Sequence, residues 1–289
     1  MIKGVDFMAK GVVITADSTC DLPAELLLQY DIKTISMNVQ LGDVCLPDNA
    51  EFTPEDLYTR FRLDGTLPKT SAPGLQAFSD FFAQYTRDGY EVVHLALSSE
   101  LTSCYSTACI AASELGGVYV VDSRMLCVGL GLLAVIAAEY RDKGMSAEEI
   151  ADTMRSLADK VDTSFVISTL EYLWKGGRCS AIAALGANVL KLKPGLEMRD
   201  GKLVMYKKYR GNMETVYRQY IKDRVAGKSI RPEHVFFGDS GEVDETLMSD
   251  LEAYVRELLP GCTIHRIKAG CTIASHSGPA TVAIMFLNE

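Results

Sequence analysis

Between Val12 and Ala138, short strand-like apolar runs alternate with stretches of helical periodicity, and no other feature restricts the fold of this chain as much. Val12 to Thr15, Val92 to Leu97 and Val118 to Val121 read as strands. Asp21 and Pro23 open a helix running to Tyr30, and Thr53, Pro54 and Asp56 announce another to about Leu63. Leu75, Phe78, Phe82 and Tyr85 recur at helical spacing behind a loop, "LPKTSAPG"; Tyr105, Ala108, Cys109, Ala112 and Leu115 do the same further on. Ile32 to Leu41 reads as one extended run. Such alternation predicts a doubly wound parallel sheet with right-handed crossovers covering both faces.

From about Thr163 the order changes. A strand to Ser168 leads into "LEYLWKGGR", a helix is expected near Ile182 to Leu190, and "RDGK" suits a hairpin turn at Asp200-Gly201. Helices are expected at Glu214 to Val225 and Glu242 to Leu259, with strands around His234, Cys262 and Thr281. This half reads as α+β with a mostly antiparallel sheet. A chain of 289 residues is long for one core and comfortable for two. The division is therefore set at 11–160 for the parallel α/β domain and 161–289 for the α+β domain, with the helix capped by Ser146 and Glu149 as the bridge.

A net charge of -9 argues against a general role on nucleic acid or anionic membranes, which would require an excess of Lys and Arg on one face. The eight cysteines contain no C-x-x-C pair and are read as reduced, mostly buried thiols. Met125 to Ala138 is apolar but shorter than the roughly 18 residues that would cross a bilayer, so it reads as a buried helix. No secretion signal is evident at the N-terminus, and a cytoplasmic protein is the expectation.

Ligands of open parallel sheets bind beyond the carboxyl ends of the strands. Here those ends carry Asp17-Ser18, Ser98-Ser99 and Asp122-Ser123, uncharged hydroxyls beside carboxylates. Helix capping accounts for any one such pair; their recurrence on one edge points to a polar site. The common catalytic motifs are missing. There is no G-x-x-x-x-G-K-[ST], no G-x-S-x-G and no H-E-x-x-H, and the four histidines show no metal-ligand spacing. Gly129, Gly131 and Ala134 fit G-x-G-x-x-A inside the apolar helix, where the glycines serve packing, and "GDSG" at Gly238 to Gly241 reads as a turn after a strand.

Several stretches recur in one order: "DSTCDLP", "KTSAP" (Lys69 to Pro73), "SSELTSCYSTA" (Ser98 to Ala108), "LEYLWKGGR" (Leu170 to Arg178), "KPGLEMRDGKLVMYKKYR" and "SHSGPA" (Ser275 to Ala280). In this order the chain resembles the DegV family of bacterial fatty-acid-binding proteins from Val12 onward. The resemblance implies one long-chain fatty acid held between the two domains, with no cofactor and no metal. It also implies, for some members, a separate ATP-binding kinase subunit that phosphorylates the bound carboxyl group, with peripheral membrane contact for lipid exchange. On this basis Thr70, Ser71, Ser98, Ser99 and His276 are expected around the carboxyl group, and Arg178 and Arg210 near the mouth, where a phosphate or a docking kinase would meet them.

Hydroxyls suit a carboxyl that must react, because a Lys or Arg ion pair would hold it tightly and blunt its attack. Phe78, Phe82 and the Leu126 to Ile136 helix are candidate walls for the tail. Where many relatives have "LSGTYQSA", this chain has Ser103 and Cys104, which are expected to narrow the head-group site. The competing readings are a small-molecule phosphotransferase or serine hydrolase using Ser99 and His276, and a lipid reservoir or sensor with no kinase.

Overall fold

The computed structural model describes residues 9–48, 53–178 and 192–289. In chain order the first half comprises β1 (Val12–Asp17), α1 (Ala24–Gln29), β2 (Ile32–Ile35), β3 (Asn38–Leu41), β4 (Val44–Pro47), α2 (Pro54–Asp64), β5 (Lys69–Ser71), α3 (Leu75–Thr86), β6 (Glu91–Ala96), α4 (Cys104–Leu115), β7 (Val118–Asp122), α5 (Val128–Asp142) and α6 (Ala147–Ala158). The second comprises β8 (Val161–Val166), α7 (Glu171–Lys175), β9 (Lys193–Arg199), β10 (Lys202–Tyr209), α8 (Met213–Val225), β11 (Ile230–Asp239), α9 (Glu245–Leu258), β12 (Ile264–Lys268), α10 (Cys271–Ser277) and β13 (Val282–Asn288). The helix expected near Ile182 to Leu190 lies outside the described residues.

A parallel sheet of order β2-β1-β6-β7 is covered by helices, so Asp17, Ala96 and Asp122 all emerge at one edge. The second sheet runs β10-β9-β8-β13-β11-β12 and is antiparallel except for its β11–β12 edge. Both capping boxes formed: Thr53 with Asp56, and Ser146 with Glu149.

Two expectations needed correction. The extended run Ile32 to Leu41 is broken at Ser36-Met37, where the Met37 amide donates to Ser18 Oγ at 3.0 Å and its carbonyl accepts from the Asp48 amide at 2.8 Å. β2 stays in the parallel sheet, whereas β3 joins a separate antiparallel sheet of order β4-β3-β5. The expected loop "LPKTSAPG" contains β5. This small sheet and α2 lean on α10, with Tyr58 Oη donating to the Ser240 carbonyl at 2.7 Å.

Between the two large sheets lies α5. Residues Val128 to Ala138 are all buried, as an all-round apolar helix requires. Its packing distances explain its glycines: a β-carbon at Gly131 would lie 2.6 Å from the Cys20 carbonyl, and one at Gly129 would collide with Thr163. The G-x-G-x-x-A spacing therefore serves close packing. One continuous core runs from Ile14 through α5 to Met285, joining the halves.

Candidate functional site

Helix α10 is gripped at both ends by residues from the first half of the chain. The Gly270 amide donates to Asp21 Oδ1 at 3.0 Å, and the Thr272 amide to Asp48 Oδ1 at 3.2 Å. At the other end, His276 Nε2 meets Thr70 Oγ1 at 2.8 Å. Thr70 is fixed on β5 by pairing opposite Val39, with Ser71 opposite Asn38. Residues 206 apart in sequence are thus joined at one point.

Burial, aided by the nearby Arg178 charge, lowers the His276 pKa to about 4, so its imidazole is neutral near pH 7. With the proton on Nε2 it donates to Thr70 Oγ1 and leaves the threonine hydroxyl free to donate onward; with the proton on Nδ1, Thr70 donates to it instead. Either way the pair is a two-way relay with no fixed charge. Among the described residues Nδ1 has no hydrogen-bond partner, and it packs against the backbone of Gly176, where a β-carbon would collide with it. This gives the first glycine of "KGGR" a physical role. Arg178 is exposed, and its Nη1 donates to the Gly176 carbonyl at 2.8 Å.

Beside this pair a cavity opens between the two halves, enclosing about 910 Å³ of atom-free space, part of it continuous with solvent. Its walls are mostly apolar, with Leu97, Leu101 and Leu126 from one half and Phe165, Leu203 and Met285 from the other. Thr70, Ser71, Arg178 and His276 lie on its lining.

The other expected residues lie elsewhere. Ser98 is buried and its Oγ donates to the Gly201 carbonyl at 2.7 Å, pinning the β9–β10 hairpin to the strand edge. Ser99 is exposed, and its hydroxyl and amide are both taken by the Asp122 carboxylate, at 2.5 and 3.2 Å. Arg210 is exposed beyond the end of β10 and does not line the cavity. Phe78 and Phe82 pack around buried His94 in a separate core, and of the Leu126 to Ile136 stretch only Leu126 and Cys127 reach the lining. Ser103 and Cys104 do not line it either; the Cys104 thiol lies behind Met37, 3.3 Å from its sulfur.

Sequence reasoning missed the wall supplied by β11 and α10: Asp239, Ser240, Thr272 and Ser277. Asp239-Ser240 carries the same strand-end signature as Asp17-Ser18, set aside because it sits inside "GDSG". Among the described residues, no group of three or more His, Cys, Asp or Glu side chains is arranged to hold a metal ion.

A family model described as uncharacterised protein, DegV family, matches residues 11–289. The chain belongs to the DegV family. A fatty acid-binding protein of Thermotoga maritima is 32% identical over 284 residues, covering 94% of this DegV chain and 96% of that protein. A DegV domain-containing protein of Clostridium perfringens is 30% identical over 291 residues, covering 97% and 98%. Among solved structures, a DegV family protein from Thermus thermophilus, described by its fatty acid binding, superposes with a TM-score of 0.86 at 27% identity, covering 98% of this chain and all of that one. The α/β architecture, with its two large sheets, is thus that of the DegV family.

Proposed function

We propose that this protein binds one long-chain fatty acid in the cavity between its two halves. The observation that carries the reading is a mostly apolar cavity with the uncharged Thr70–His276 relay on its lining. Relatives described as fatty acid-binding support it. Each methylene removed from water contributes about 0.8 kcal/mol, so a tail of about fifteen supplies on the order of 12 kcal/mol before ordering costs. Affinity is then carried by the tail, leaving the head group to be held by neutral donors.

In this reading Thr70 and Ser71 receive the carboxyl group, and His276 orients Thr70. Ser98 and Ser99 support the surrounding loop through Gly201 and Asp122. A hydrolase built on Ser99 and His276 loses its pairing, because His276 bonds Thr70 while Ser99 bonds Asp122. Presentation of the carboxyl group to a separate ATP-dependent kinase is the finer part of the proposal. It rests on Arg178 at the rim and exposed Arg210, which suit a phosphate or an acidic partner surface.

Native mass spectrometry of freshly purified protein tests the binding step. A 1:1 adduct with the mass of a long-chain fatty acid, removed by delipidation and restored by added palmitate, is expected. A protein that stays empty under both conditions overturns the reading.

A further inference from the structure

Next to the cavity lies a second space, open to solvent, lined by Leu22, Pro23 and Leu27 around α1 and by Val243, Arg266 and Lys268. Among the described residues, Ile267 and Asp239 line both spaces. The Asp239 carboxylate is held in place: Oδ1 accepts from the Gly241 amide at 2.7 Å, and Oδ2 lies 3.5 Å from Arg266 Nη2. Buried Ile267 is the apolar part of this partition.

The second sheet fixes where Ile267 stands. In register, Ile267 of β12 is opposite Gly238 of β11, Gly238 opposite Ala283 of β13, and Ala283 opposite Phe165 of β8. Residues directly opposite one another share a face of a sheet. Ile267, Ala283 and Phe165 all line the cavity, so this row is its floor. Glycine and alanine leave the middle of the row low, between two bulky ends. A β-carbon at Gly238 would lie 2.7 Å from Ile267 Cδ1, so the isoleucine leans over bare backbone and needs that glycine.

Lining residues also lead from the head group to this point. His276 and Thr272 lie on α10, about 6 Å apart along its axis at 1.5 Å per residue, and Ala269 and Ile267 follow on the segment before the helix. We infer that Ile267 is the stop against which the acyl tail ends, and that it thereby sets the longest chain the cavity accepts. This rests on the fatty-acid reading above and names the residue that limits it. Beyond Ile267, a tail meets Leu22, Leu27 and Val243 before water.

The test titrates delipidated natural protein, Ile267→Ala and Ile267→Val with myristate, palmitate, stearate, arachidate and behenate. Each further methylene taken from water raises affinity roughly fourfold. In the natural protein this rise should end within the series. Ile267→Ala removes the side chain beyond its β-carbon, and the end of the rise should move to a longer member, with arachidate gaining roughly tenfold over palmitate, the worth of about two methylenes. Ile267→Val removes only Cδ1, a mild change for a core, and should move it the same way by less. Arachidate labelled with ¹³C at its terminal methyl should be relaxed by a water-soluble paramagnetic chelate in Ile267→Ala, because its end enters the open space; palmitate so labelled should stay shielded in the natural protein. Palmitate binding with the same length ranking in all three proteins, or an arachidate methyl shielded in Ile267→Ala, would overturn the stop alone. A natural protein that takes up none of the series would overturn the binding reading and the stop with it.

Discussion

At the scale of single residues, hydroxyls that look equivalent in the sequence separate by partner. Thr70 Oγ1 has the neutral His276 as its partner beside an apolar cavity, whereas Ser99 Oγ has an ionised neighbour at the surface. Thr70→Val keeps the shape and removes the relay. Fatty-acid affinity should fall by about 1.5–3 kcal/mol, the usual size of one lost hydrogen bond to a charged acceptor. Ser99→Ala should leave affinity within about 0.5 kcal/mol, since its side chain lies away from the cavity. Isothermal titration of delipidated protein with palmitate separates the two, and equal losses would place both residues at the head group. Nothing in "KTSAP" or "SSELTS" could have made this distinction. A hydroxyl at a strand end has the same spelling whether it caps, braces or binds, and the partner that decides is 206 residues away for Thr70 and 103 for Ser98.

At the scale of elements, legibility followed length and periodicity. The apolar helix α5, the amphipathic helices α3, α6 and α9, and the hairpin at Asp200-Gly201 were all written in local pattern. The sheet β4-β3-β5 was not: its strands are three or four residues long, partly exposed, and too short to display a period of two. Yet this sheet carries Thr70 to the cavity. The short α10 was missed for the same reason, and His276 sits in its last turn. The glycines of α5 give an element-scale prediction. Gly131→Ala improves helix propensity by about 1 kcal/mol. The added methyl would press on the Cys20 carbonyl, and overpacking costs about 1–3 kcal/mol. The clash should win, lowering the thermal midpoint; a raised midpoint would mean that α5 is free to shift away from the Cys20 turn.

At the scale of the molecule, the two sheets share one helix, one core and one cavity. Helix α6 ends at Ala158, and the elements on either side of it are packed together: β3, α2 and β5 lean on α10, and α5 belongs to one continuous core with both sheets. This interlocking places a polar relay from one half and the helix that carries its partner at the same end of an apolar space. Among the described residues, no helix is long and apolar enough to cross a membrane. In the proposed reading, delivery to a kinase would depend on a carboxyl group met by Thr70 and the neutral His276, with the Arg178 guanidinium beside them turned to the Gly176 carbonyl.

The most direct measurement of this claim is ¹³C NMR of delipidated protein titrated with palmitate labelled at its carboxyl carbon. One bound resonance, saturating at one equivalent and displaced in Thr70→Val, is the expected result. Several resonances, or a single one indifferent to Thr70→Val, would contradict a carboxyl group held at the Thr70–His276 relay.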